Sequence, residues 1–198
     1  MTHIRPKPRR RVARRGILAM AALALASGVA LEKIGFEFMP DGGRNLMVQV
    51  LDADPGRLAE IAAMTLDAEG WQAWITEGQS TDAHTALAEA EVMTLASYMA
   101  LNLPLADPEA LGALGPEDLA AALPRDGKVL AVRNCQGCHG FYTAYLGHDR
   151  DANGWMVMFN SPFHTEIPMN RTERLTFAHY SAINLPMRLE DVPPDLRH

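Results

Sequence analysis

Two cysteines and a histidine stand close together in the second half of the chain, in the stretch Cys135-Gln136-Gly137-Cys138-His139. Two thiols three positions apart lie on one side of a helical turn, so both can react with a single planar group. They can add to the two vinyl groups of a haem, while the imidazole of the next residue reaches the iron. The pattern therefore predicts one covalently attached haem c, held by Cys135 and Cys138, with His139 as an iron ligand.

The two cysteines have other interpretations. A structural zinc site needs four ligands, and the chain has only two cysteines, so zinc is a poor fit. Thiol-disulfide enzymes also use the C-x-x-C pattern, but there the motif follows a strand in a βαβ unit, whereas the flanking residues here have helical patterns. A thiol redox pair stays as the less favoured alternative.

The first thirty residues differ in composition from the rest of the chain. An apolar run from Gly16 to Leu31 follows a block of basic residues that contains no acid: Arg5, Lys7, Arg9, Arg10, Arg11, Arg14 and Arg15. Sixteen apolar residues suit the core of a secretory signal better than a bilayer span, which needs about 20. We therefore expect residues 1–30 to direct export to the periplasm, with cleavage near Ala26 or Ala30. An uncleaved anchor in the inner membrane is the alternative.

The net charge of the exported chain indicates the class of partner. Removal of residues 1–30 takes away seven of the 18 basic residues and none of the 24 acidic ones, which leaves a net charge of −13. Such a charge disfavours nucleic acid and anionic lipid as partners. It favours a protein redox partner with a basic docking surface, although it also serves solubility. We expect membrane contact only if the N-terminal segment stays uncleaved.

A repeat runs through the chain at an offset of 84 residues, which becomes 82 in its last part. The matched stretches are 43–56 with 127–140, Gly70-Trp71 with Gly154-Trp155, and 94–104 with 176–186. The last pair shares the pattern Thr-x-Ala-x-Tyr-x-Ala-x-Asn-Leu-Pro. We interpret the chain as two tandem copies of one module; two similar helices that both end in Asn-Leu-Pro are the simpler alternative.

The first copy cannot hold haem c. It has Leu51, Asp54 and Pro55 where the second copy has its two cysteines and histidine, so it lacks both sulfurs and the imidazole nitrogen. We expect residues 43–104 to form a haemless module, residues 105–126 a linker with a short helix from Pro116 to Leu123, and residues 127–198 the haem domain with a C-terminal tail. The side chains expected to fill the haemless core are Met47, Met64, Trp71, Trp74 and Leu87.

Helical patterns run through both copies and no strand is evident, so the expected fold class is all-α. Arg57 to Leu66 and Ala83 to Leu101 are rich in Ala, Leu and Glu at helical spacing. Asn170 and Glu173 match a capping box at the start of a helix that ends before Pro186.

With these features identified, the stretch from Gly127 to Pro186 resembles a class I cytochrome c domain. The resemblance is carried by a helix that leads into CQGCH and a closing helix whose Tyr180 would pack against it. It implies an all-α fold around one haem, with His139 as the proximal ligand. The stretch is also similar to cytochrome subunits that accept electrons from periplasmic dehydrogenases. Tandem modules with a degenerate first copy resemble the haem subunit that initiates thiosulfate oxidation, but that family uses a cysteine as distal ligand and this chain has none to spare.

The resemblance further implies a second axial ligand, usually a methionine, from the loop before the closing helix. Here Met158, His164 and Met169 lie 22, 16 and 11 residues before Tyr180. Spacing favours His164, with Met158 and Met169 as alternatives, because either residue type can ligate iron.

These observations predict an exported mono-haem cytochrome c that transfers single electrons between a periplasmic donor enzyme or complex and an acceptor. We expect no catalytic residues, because nothing resembles a catalytic triad or a phosphate-binding loop, and Glu89 and Glu91 fit a solvated helix face. One alternative is a catalytic haem protein, peroxidase-like or sulfur-oxidising, which needs an open sixth position at the iron. A thiol-disulfide oxidoreductase is a further, less favoured one.

Overall fold

A computed structural model describes residues 35–50, 55–77, 87–114, 116–137 and 140–197. These residues are helical and include no strand, which confirms the all-α class. None of their helices is both long and apolar enough to cross a bilayer. The helices are α1 (Gly43–Val50), α2 (Pro55–Ala62), α3 (Ala68–Thr76), α4 (Glu89–Asn102), α5 (Pro116–Ala122), α6 (Gly127–Cys135), α7 (Ala152–Met158), α8 (Pro162–Thr165) and α9 (Arg171–Asn184), with a π-helical turn at Tyr142–Leu146 and 3₁₀ turns at Pro108–Ala113, Leu189–Asp191 and Pro194–Leu196.

The described residues form two hydrophobic cores. The first is built from α1 to α5, and it includes all five side chains expected to fill it, with Met47 and Trp71 buried and Met64, Trp74 and Leu87 packed at its edge. The second core is built around α6, the π-helical turn, α7 and α9, and aromatic rings dominate it. The first half of the molecule, α1 to α5, and the second half, α6 to α9, thus each have a hydrophobic core, and burial of apolar side chains is the main stabilising term in folding.

Helices α4 and α9 join the two halves. α4 packs on α1 and α3, α9 packs on α6 and α7, and the two long helices pack on each other. Reciprocal hydrogen bonds cross this contact: Asn102 Nδ2 donates to Thr176 Oγ1 at 3.1 Å, and Asn184 Nδ2 donates to Thr94 Oγ1 at 2.9 Å. An asparagine of each long helix thus donates to a threonine of the other.

Other contacts recur at the offsets of the sequence repeat. Gly43 lies against Tyr98 and Gly127 lies against Tyr180, so closely that a Cβ atom at either glycine would overlap the Cβ and Cγ atoms of the tyrosine. Only glycine lets the helices cross at that distance. This position of Tyr180 against the first helix of its half is the one expected from the sequence.

The two halves exchange the segments that precede their first helices. The Tyr98 hydroxyl donates to the carbonyl oxygen of Pro124, and the Tyr180 hydroxyl donates to that of Pro40, both at 2.7 Å. Phe36 and Met39 consequently lie in the second core. Three residues of the stretch 105–126 are buried in the first core: Leu111, Leu119 and Leu123.

One carboxylate breaks the correspondence between the halves. Asp126 accepts the backbone N–H of Val129 at the start of α6 (3.0 Å) and that of Arg44 at the start of α1 (3.1 Å). Its carboxyl group occupies the space that a side chain at Gly42 would need. Burial raises the pKa of Asp126 above 3.8, although the Val129 N–H and the Arg44 guanidinium oppose this shift. A single buried side chain therefore caps two helices from different halves.

Two helix boundaries predicted from the sequence need correction. The helix expected over Arg57 to Leu66 runs from Pro55 to Ala62, because the Ala62 carbonyl accepts the N–H of Leu105 at 2.8 Å instead of continuing the helix. The helix expected over Ala83 to Leu101 begins at Glu89 within the described residues. The short helix expected from Pro116 and the capping box of Asn170 with Glu173 are confirmed.

Candidate functional site

Helix α6 carries the first cysteine of the motif. It begins after its N-cap Asp126 and ends at Cys135, and Gln136 and Gly137 follow in an exposed turn. Cys138 and His139 lie outside the described residues. Two contacts hold the N-terminal end of the helix that carries Cys135. Asp126 caps the first turn of α6, and Tyr180 of α9 packs against Gly127.

Cys135 is half-buried against the second core. The rings of that core form a continuous cluster: Phe36 lies 5.6 Å from Phe141, Phe141 lies 5.4 Å from Tyr145, and Tyr145 lies 5.3 Å from Trp155 and 5.5 Å from Phe177, centroid to centroid. Such rings provide a large apolar surface that excludes water. The first half has fewer aromatic residues at the matching positions: Arg57, Ile61, Trp71 and Leu95 correspond to Phe141, Tyr145, Trp155 and Phe177.

Tyr145 lies in this cluster, and Cys135 packs against the same core. Burial raises the pKa of Tyr145 well above 10.0, a nearby Cys135 thiolate raises it further, and the hydrogen bond with Ser181 opposes the shift. The phenol oxygen and the Ser181 Oγ atom lie 2.9 Å apart. Tyr145 therefore stays protonated at neutral pH.

The three distal-ligand candidates lie in one segment between α7 and α9. Met158 is half-buried at the end of α7, and Met169 is buried in the second core. His164 is half-buried in α8, with Nδ1 3.1 Å from the carbonyl oxygen of Met158. Because a carbonyl oxygen only accepts, Nδ1 is the donor in this hydrogen bond, so a metal would have to be bound through Nε2. Histidines that bind metals commonly have this second hydrogen bond to a backbone carbonyl.

Arg174 stabilises the same segment, a role that no sequence pattern indicates. Its Nε atom donates to the Met169 carbonyl oxygen at 3.1 Å and its Nη2 atom to that of Thr165 at 2.9 Å. Its guanidinium carbon lies 4.8 Å from the centroid of the Phe159 ring, within the range of a cation–π contact. The segment that contains His164 and Met169 is thus attached to α9 by a charged side chain.

Two tryptophans occupy matching positions and share an unusual feature. Trp71 and Trp155 are both fully buried, and neither indole Nε1 finds a hydrogen-bond acceptor among the described residues. A buried donor without an acceptor costs about 1–3 kcal/mol. Each half therefore retains a polar hydrogen inside its core at the same place.

The described residues supply part of the donor set that a haem c requires. These are the thiol of Cys135, which is half-buried against the second core and could form a thioether bond, and the imidazole of His164, which could bind iron. Within the described ranges, no three His, Cys, Asp or Glu side chains come together as a metal-binding group. Cys138 and His139 lie outside those ranges. No family model, curated protein or solved structure matches the chain.

Proposed function

We propose that this chain is an exported mono-haem c-type cytochrome that passes single electrons between a periplasmic donor enzyme or complex and an acceptor. The observation that carries the proposal is the position of CQGCH. The motif starts at the last residue of α6, a helix that α9 crosses at Gly127 and Tyr180. A class I cytochrome c domain resembles this arrangement, with the attachment motif directly after its first helix.

Each residue of the site then has a defined role. Cys135 and Cys138 would form the two thioether bonds, and His139 would bind the iron. His164 would supply a second iron ligand through Nε2, with Met158 and Met169 as alternatives. When bound, the haem supplies an iron that gains and loses one electron at a time. The aromatic cluster around Tyr145 excludes water from that site, and low polarity influences the reduction potential.

The internal repeat supports a two-module architecture in which only the second module binds haem. Equivalent residues make equivalent hydrogen bonds: Asp67 and Asp151 accept the N–H groups of Gly70 and Gly154 at 2.8 and 2.6 Å. Glu91 and Glu173 likewise accept those of Ala88 and Asn170 at 2.8 and 2.9 Å. Bonds repeated at fixed offsets favour a duplication over two unrelated helices. The first module would serve as a support against which α9 packs.

The charge of the exported chain supports a protein partner. With residues 1–30 removed, the net charge is −13. An acidic carrier attracts a basic docking surface over long range, and this attraction speeds encounter. We place the protein in the periplasm, anchored to the inner membrane only if the N-terminal segment is retained.

The proposal is tested by the mass of the protein produced in cells that attach haem c. We expect the full chain to carry one haem that stays bound after denaturation, on the proteolytic peptide that contains Cys135 and Cys138. Cys138→Ser should leave at most one thioether and lower the yield of haem protein. Gln136→Ala is the matched control, because it changes an exposed position inside the motif and keeps both thiols. Haem that extracts into acidic solvent, or a colourless protein, would refute the proposal.

A further inference from the structure

Two buried hydroxyl groups lie inside the second core. Tyr145 is 2% exposed and Ser181 is 0% exposed, with their oxygens 2.9 Å apart. The Ser181 Oγ atom also lies 2.7 Å from the carbonyl oxygen of Phe177, to which it donates. A hydroxyl has a single hydrogen, so Ser181 accepts from Tyr145. The hydrogens therefore point in one direction, from Tyr145 to Ser181 to the Phe177 carbonyl.

The first half fills the same place with apolar side chains. Ile61 stands at the position that matches Tyr145, and Met99 stands at the position that matches Ser181. Both are buried in the first core. The helical arrangement is therefore compatible with an apolar pair. Two hydroxyl groups in the same place must instead be removed from water on folding. The hydrogen bond between them offsets this desolvation cost but adds little stability beyond it.

The local backbone also differs between the halves near this pair. Residues 142–146 form a π-helical turn, whereas the matching residues 58–62 belong to the regular helix α2. π-helical turns are rare and occur often at functional sites. This turn begins three residues after His139, and it contains Tyr145, a member of the core against which Cys135 packs. The CQGCH motif is likewise present in the second half and absent from the first. We therefore associate the pair of hydroxyl groups with this motif.

We propose that Tyr145, held by Ser181, is a tuning residue that lowers the reduction potential of the haem attached at Cys135. This inference rests on the proposed function. The phenol hydrogen is committed to Ser181, so Tyr145 presents to its other neighbours an oxygen with partial negative charge. Loss of one electron adds one positive charge to the haem. A negative dipole end inside a low-dielectric core stabilises that oxidised form.

The test is the midpoint potential of the full-length haem protein with Tyr145→Phe, which removes only the phenol oxygen. We expect the equilibrium constant for reduction to increase about tenfold, which corresponds to a rise in the midpoint potential of about 59 mV for one electron. The low-spin spectrum should stay unchanged, because no iron ligand is altered. Tyr98→Phe is the matched control. It removes a buried hydroxyl bonded to Pro124 in the first half, and it should lower stability without moving the potential.

Ser181→Ala gives a second, independent measurement. It removes the acceptor of the phenol hydrogen, which then turns toward other neighbours, so the potential should rise at least as far as in Tyr145→Phe. If either variant fails to fold with haem, the other decides. If the Tyr145 and Ser181 variants carry covalent haem and have the same midpoint potential as Tyr98→Phe, this inference alone is overturned. A wild-type protein without covalent haem overturns both this inference and the proposed function.

Discussion

Replacement of Gly127 by alanine should disturb the helix crossing that positions Cys135. A Cβ atom at residue 127 would overlap the Cβ and Cγ atoms of Tyr180 and lie 3.0 Å from the carbonyl oxygen of Thr176. These are backbone and near-backbone atoms, not the end of a flexible side chain. Tyr180 is 3% exposed and its hydroxyl is bonded to Pro40, so it cannot swing away. Helices α6 and α9 must therefore move apart.

The size of the effect follows from two opposing contributions. An extra carbon in a well-packed core typically costs about 1–3 kcal/mol, and the rigidity of this contact places Gly127→Ala at the upper end. Alanine recovers at most about 1 kcal/mol through its better helix propensity. The free energy of unfolding should fall by about 2 kcal/mol, a decrease in the melting temperature of about 4–8 °C for a chain of this length.

The assay is thermal unfolding of the full chain followed by far-UV circular dichroism. Gly112→Ala is the control, because a Cβ atom there meets nothing within 4 Å. Gly43→Ala should cost about as much as Gly127→Ala, since its Cβ atom would overlap Tyr98 in the same way. If Gly127→Ala melts at the same temperature as Gly112→Ala, the close crossing of α6 and α9 is refuted.

Two further predictions concern the iron ligand and the buried carboxyl group. His164→Ala should convert the iron to the high-spin state in the visible spectrum, whereas Met158→Leu and Met169→Leu should leave it low-spin; the reverse pattern would assign the ligand to a methionine. Burial raises the pKa of Asp126 above 3.8, so its contribution to stability is full below that pH and is lost as the pH rises through the folded-state pKa. The stability of the wild type relative to Asp126→Asn, measured by urea unfolding, should therefore decline as the pH rises above 3.8. A pH-independent difference would contradict this assignment.

Local features of this protein could be predicted from the sequence alone. The Asn170 side chain accepts the N–H of Glu173 at 3.0 Å, as the capping box requires, and a helix begins at Pro116. Caps and helix propensities act over three or four residues, so the necessary information lies within a short stretch. The spacing of Cys135, Cys138 and His139 is also local, and it predicts the attachment chemistry before any packing is known. Comparison of the two copies could have identified Tyr145 and Ser181 as well, since the repeat places Ile61 and Met99 opposite them.

Only the tertiary structure decided how the two halves fit together. Phe36 and Met39 are apolar residues, but no sequence pattern indicates that they complete the core of the second half. Helix α2 ends at Ala62 because Leu105, far along the chain, takes the carbonyl that would extend it. Asp126 caps one helix in each half, and only folding brings the N–H group of Arg44 within reach of its carboxyl group. These contacts join residues tens of positions apart, and sequence patterns within one helix contain no information about them.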